Sequence, residues 1–510
     1  MTLSNDLKRR RFLQSTAALG LGAGLATWER LAAITPARAQ DMAVGPDAAR
    51  FRPEIEPVVR WIEETPRNRV FDRAVKEMNE GLSYRDLMAG LFLAGIRNIK
   101  PRPVGFKFHA VMVINSAHVL GQTAPMEDRL LPMFWALDNF KSSQAQDIQE
   151  GDWTLSKVDE AHVPSPLQAE ATFNQAMDAW DADAADAAVA GLCRSAGAAG
   201  TMEAFWRYAV RDQRNIGHKP IFAMQCWRTL QSIGWEHAEP VLRSLAFGML
   251  DTQGDRRAGP VGPYEANLEN ADKIRDDWQT GKLDAEATRS LLATIREASP
   301  EDASAEVLRL LNDGIHPDSL WDAVILAGSE MFIRDPSIAP LHAVTAANSL
   351  HYIYGASGDE TTRKLALLQG AGWLPLYRSR TSGRSDLQID KMEPVELESE
   401  GEEALAEIFH TVDSDRAQAA AKAATYLKQG GSAELFFAHA RRLIFHKGRD
   451  SHDYKYGAAA WEEHQLATDP RWQPVLAAAL TGKVPGLGSA DSPLMQRARR
   501  AVEQELGETT

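Results

Sequence analysis

At 510 residues, 44% of them hydrophobic and 25% charged, the chain can bury a large core and reads as an ordinary soluble protein rather than a disordered one or a bundle of membrane spans. Its formal charge of −14 argues against a nucleic-acid partner, which would call for a basic surface.

In chain order, Arg9-Arg10-Arg11-Phe12-Leu13 stands before a short, weakly apolar stretch from Ala17 to Ala26, and Ala37-Arg38-Ala39 offers the small residues a signal peptidase needs. Residues 1–39 therefore resemble a twin-arginine signal, with a general secretory signal as the alternative. The reading makes the twin-arginine export machinery a partner and places the mature protein in the periplasm or otherwise outside the cytoplasm. Cleavage would remove six basic and two acidic side chains and take the charge from −14 to −18. The stretch is too short to span a bilayer, and no later run of about twenty apolar residues follows, so no transmembrane segment is expected. Cys193 and Cys226 lie in apolar helical text and read as buried thiols rather than a bridge.

Beyond the signal, 3.6-residue spacing predicts helices over Phe51–Asn79 and Leu87–Ile96, then a break at Lys100-Pro101-Arg102-Pro103. A phrase containing two histidines follows from about Phe106 to Leu120. Next come a helix from Asp128 to about Gln146, a long ordered loop from Gln149 to Pro166, and helices from Leu167 onward, including Thr201–Val210 and Ile221–Ile233. Asp251 to Pro263 is rich in Gly and Pro and opens a linker over 251–284. Helices are then predicted over Ala285–Glu297, Ala303–Asn312, Leu320–Phe332, Glu360–Tyr377, Glu402–Phe409, Ala417–Lys428 and Ala433–Phe445. The acidic run from Glu396 to Glu403 reads as a loop leading into a helix N-terminus. The fold class is all-α.

Two halves of the chain share wording. His109-Ala110-Val111 through Asn115-Ser116-Ala117-His118 returns as His342-Ala343-Val344 through Asn348-Ser349-Leu350-His351, an offset of 233. His218 and Trp227 return as His452 and Trp461 at an offset of 234. The repetition predicts two tandem copies of a helical unit, residues 50–250 and 285–485, packed into one pseudo-two-fold assembly, with a tail over 486–510.

Histidines nine residues apart project from opposite sides of a helix, so His109 and His118 cannot both face one ion, nor can His342 and His351. A metal would need ligands from separate helices. The chosen ligand and catalytic set is His118 with His218 and His351 with His452; His109, His342, Asn115 and Asn348 are placed as cofactor-binding. One histidine from each half meeting at the pseudo-axis is a further arrangement. Imidazole suits iron, copper or zinc, and b-type haem is also open, whereas covalent c-type haem is excluded by the lack of a Cys-x-x-Cys-His motif. The competing reading is polar glue, each imidazole satisfied at a helix contact. Asp138, Glu203 and Glu434 are acidic residues in helical text and read as surface groups before general bases.

Two stretches of the second copy, Pro340-Leu341-His342-Ala343-Val344-Thr345 and Asp450-Ser451-His452-Asp453-Tyr454-Lys455 with the following Trp461-Glu462-Glu463, resemble the questin oxidase-like family. The resemblance implies a helical oxidoreductase inserting oxygen into an aromatic or quinone-like ring, with His342 and His452 at matching positions. The chain departs from that picture in its export signal and in lacking a dinucleotide fingerprint. The expectation is an exported oxidoreductase acting on a small apolar organic substrate; the alternative is a non-enzymatic helical-repeat module binding a ligand or another periplasmic protein. A metal-dependent hydrolase is a third reading.

Overall fold

A computed structural model describes residues 47–507 except 257, 383 and 384. Every regular element among these residues is a helix, so the protein is all-α; two isolated bridges, Ala48 with Ser156 and Lys282 with Ile315, tie loops together. The proposed signal at 1–39 lies outside the described residues. No described helix is long and apolar enough to cross a membrane.

Local chemistry sets the helix boundaries. Helices start where a short polar side chain accepts from a first-turn N–H, as at Ser83 (Asp86 N, 3.0 Å), Ser299 (Asp302 N, 3.1 Å) and Asp415 (Gln418 N, 2.9 Å). Pro300 and Pro317 each open a helix, where their missing N–H costs nothing. The predicted helix over 51–79 is in fact two, Glu56–Glu64 and Val70–Asn79, because Pro66 pushes Thr65 into extended backbone. Sequence reading also missed Ala238–Met249, Tyr264–Lys273, Gln473–Ala478 and Pro493–Gly507. Residues 251–284, expected as linker, thus hold a helix and the fully buried Trp278.

The long loop after residue 150 is pinned: Leu155 N donates to Arg97 O (2.9 Å), and Trp153 stacks on Phe247. Helices Pro317–Arg334 and Ile338–Ala356 are buried on nearly every face, which is why neither has a clean amphipathic pattern. Contacts between the halves are crossed. Helix His218–Ile233 of the first half packs along Ile338–Ala356 of the second, and Ser451–Leu466 of the second packs on Ile114–Gln122 of the first. Arg228 and Glu462, themselves 234 residues apart, pair across that contact.

Candidate metal centre

Four imidazoles converge at the crossing: His109, His218, His342 and His452, with ligand atoms all within 4.8 Å of one another. Each is at most 8% exposed. The Nε2 of His452 is 2.9 Å from that of His109, which is 3.1 Å from that of His218, itself 2.9 Å from that of His342.

Helix starts put them there. Side chains in a first turn lean back toward the N-terminus and reach past the helix end. His109 opens helix His109–Met112, His218 opens His218–Ile233, and His452 is the second residue of Ser451–Leu466. His342 sits one turn into Ile338–Ala356. The approach to His218 is a left-handed turn, with φ of 59° at Asn215, 49° at Ile216 and 77° at Gly217. A β-branched residue in that region costs on the order of 1–3 kcal/mol and persists only where surrounding contacts enforce it. Here Tyr377 Oη donates to Ile216 O (3.0 Å) and Asn215 Nδ2 to Asp251 Oδ2 (2.8 Å). Gly217 has no alternative, since a Cβ would collide with the Tyr377 hydroxyl and the Ala346 methyl. Behind this turn the fully buried Lys219 donates to Asp212 (2.5 Å) and to Asp251 O (2.7 Å), locking the chain on both sides.

The outer nitrogens fix the tautomer. Nδ1 of His109 lies 2.8 Å from Phe106 O, that of His218 2.5 Å from Asn215 O, that of His342 2.7 Å from Ile338 O, and that of His452 2.8 Å from Asp450 Oδ1. Carbonyl and carboxylate oxygens only accept, so each Nδ1 carries the proton and each Nε2 presents a lone pair to the centre. Such outer partners are what orient histidine ligands around a metal. Asp450 is itself fixed as a helix cap, its Oδ1 also accepting from His452 N (3.0 Å) while Asp453 accepts from Asp450 N (3.0 Å).

Burial is the largest influence on all four imidazoles and pushes each below the usual histidine range; the charge of Lys455 pushes in the same direction. They are therefore neutral near pH 7. Four neutral rings with lone pairs about 3 Å apart repel unless a cation lies among them. The donor set fits a borderline transition metal. It does not fit haem, because four imidazole nitrogens this close occupy the space a porphyrin ring needs.

The structure divides the sequence-selected residues. It brings His218 and His452 together with His109 and His342. His118 and His351 lie outside the convergence, so the pairings of His118 with His218 and of His351 with His452 as one ligand set need correction: nine residues of helix turn them away from their phrase partners. His118 contacts Tyr84 Oη (3.2 Å), and burial lowers its pKa to about 4. His351 stacks on Trp321 and bonds Glu463 Oε2 (2.9 Å). Asn348 Nδ2 donates to Glu462 Oε2 (3.0 Å) and Glu463 Oε1 (2.8 Å), and Asn115 lines a neighbouring cleft. Asp138 is paired with Arg67 and Arg497, Glu203 accepts from Gly358 N (2.8 Å), and Glu434 is exposed, so none of the three acids joins the cluster. Cys193 and Cys226 are free thiols.

Sequence reading missed Lys455. It lies one turn beyond His452, is 3% exposed, and its Nζ has no hydrogen-bond partner among the described residues. Burial lowers its pKa to about 7. The signal was present as a lysine one turn after His452, on the same side of the helix. Comparison with protein-family models, with curated proteins and with solved structures gave no match to this chain.

Proposed function

We propose that the four histidines hold a single transition-metal ion and that the protein is an exported oxidoreductase oxidising an aromatic organic substrate. The observation that carries the reading is the tautomer pattern: four outer nitrogens engaged by oxygen acceptors leave four unprotonated ring nitrogens within 4.8 Å of one another.

Four imidazole donors suit iron, copper or zinc, and the proposed oxidation calls for one of the redox-active two, iron or copper. In a tetrahedron all six separations are equal. Here neighbouring ring centroids are 4.4 Å (His218 with His342), 4.5 Å (His109 with His452), 4.8 Å (His109 with His218) and 5.1 Å (His342 with His452), while the His109–His342 pair stands 6.3 Å apart. The rings are thus unequally spaced around the centre. A redox-active ion held there would supply oxygen-activating chemistry. The protein's own part is to keep the rings neutral and fixed and to keep bulk water out.

The same distances support descent from a duplicated unit. A two-fold axis exchanging His109 with His342 and His218 with His452 would equate the His109–His452 and His342–His218 contacts, and both are 2.9 Å.

Oxygen uptake by protein loaded with ferrous iron or copper, measured against a panel of hydroxylated aromatic compounds, tests the function. The reading expects uptake that is lost in His342→Ala and retained in His162→Ala, a surface histidine paired only with Asp159. Loaded protein that consumes no oxygen with any member of the panel would contradict it.

A further inference from the structure

Beside the centre lies a cleft of about 240 Å³. Helices of both halves line it, with Asn115, Ser116, His118, Gln225, Arg228, Asn348, Lys455 and Glu462 as its main polar groups and Val119, Met224, Ala458, Ala459, Trp461 and Leu466 as its apolar ones. Its charges do not balance. Arg228 and Glu462 pair with each other, and Glu462 also accepts from Asn348 (3.0 Å). Burial keeps His118 neutral. That leaves Lys455 as the basic group with no acidic partner in the cleft lining.

Unsatisfied groups gather in the same place. Lys455 Nζ, Gln225 Oε1 and Arg228 Nε are all buried without a hydrogen-bond partner, and all three residues line the cleft. Gln225 is otherwise held by its Nε2, which donates to Ser116 Oγ (3.2 Å). A buried amine with no hydrogen-bond partner is costly when protonated unless something anionic reaches it. Among the described residues no group hydrogen-bonds it, and the one carboxylate whose charge acts on it, Asp450, lies outside the cleft lining.

We infer that this cleft is a binding site for a small organic carboxylate, whose anionic end is held by Lys455 and whose apolar body lies along Met224, Ala458, Ala459 and Trp461. The inference rests on the proposed function for its meaning, since Lys455 stands one helical turn from His452 and so would set the ligand's head close to the histidine cluster. It narrows the proposed aromatic substrate to one with an acidic head.

Calorimetric titration of the full-length protein with benzoate and with its neutral isostere benzamide tests the inference, run on both chelator-treated and metal-loaded samples. We expect benzoate to bind at least ten-fold more tightly than benzamide in both samples, and Lys455→Met to erase the difference. The Met substitution removes a lone buried cation while keeping the stem's volume, and the benzoate-to-benzamide ratio on unaltered protein needs no variant at all. Equal binding of the two probes overturns the inference. So does benzoate binding that requires metal and survives Lys455→Met, because the carboxylate would then be a metal ligand instead. Benzoate selectivity in a protein that takes up no metal would support the carboxylate site and defeat the proposed function, so the two fail separately.

Discussion

Stripping the ion with a chelator should lower stability by an amount the geometry makes calculable. Four lone pairs held about 3 Å apart gain nothing from one another, so nearly all of the centre's contribution comes from the bound ion. An ion that binds only the folded chain stabilises it by about 4 kcal/mol when free metal is a thousand times the dissociation constant. An unfolding entropy of about 2.1 cal/mol/K per residue over the roughly 460 described residues gives about 1 kcal/mol/K, so the expected loss is about 4 °C in Tm if unfolding is cooperative. Differential scanning fluorimetry with and without chelator, then with metal restored, reads the shift. His109→Ala, His218→Ala, His342→Ala or His452→Ala should each abolish the metal-dependent part, whereas His351→Ala, destabilising in its own right, should preserve it. A metal-dependent shift that survives in His342→Ala, or one lost in His351→Ala, would refute the reasoning.

Other expectations follow from the same geometry. Because burial already holds the four imidazoles neutral, metal affinity should be nearly flat above pH 6.5 and fall only well into acid, which competitive titration across pH would reveal. Burial also lowers the His351 pKa, but the Glu463 carboxylate outweighs it and the net shift is upward. The stability from that pair is therefore fully present below about pH 6.5 and is lost as pH rises through the folded-state value, so His351→Gln should flatten this part of a denaturation-versus-pH profile. Gly217→Ala should cost about 1–3 kcal/mol in chemical denaturation and weaken metal binding, since it strains the turn that carries His218. Truncating either member of the half-buried Arg228–Glu462 pair should cost about 1–3 kcal/mol, and Arg228→Met with Glu462→Leu together should recover most of it.

The all-α class and most helix positions were legible because helical spacing, Pro breaks and Ser or Asp caps are local. Helix Ala238–Met249 escaped because it follows the preceding helix after only a short turn at Trp235–His237, and Pro493–Gly507 because its apolar stripe is thin. The candidate site was legible as a rule rather than as a set of residues. Nine-residue spacing shows that the two histidines of a phrase must part, and they do: His109 turns to the cluster and His118 to Tyr84. Which of them turns inward depends on the packing of distant helices. Local text held one clue, since His109, His218 and His452 all stand at helix starts, where a side chain reaches beyond the rod. The glycines at 105 and 217 mark the same places, and Gly105 lies against the His218 ring at 3.1 Å from where a Cβ would sit. Lys455 could not be recognised as unpaired from sequence, because the lack of a partner is a property of the whole fold.

Elemental analysis of the purified chain after extensive desalting tests the account most directly. We predict one equivalent of iron or copper per chain, absent from each of His109→Ala, His218→Ala, His342→Ala and His452→Ala. A folded wild-type protein that retains no transition metal even after incubation with either ion, or one whose metal content is unchanged in those four variants, would contradict it.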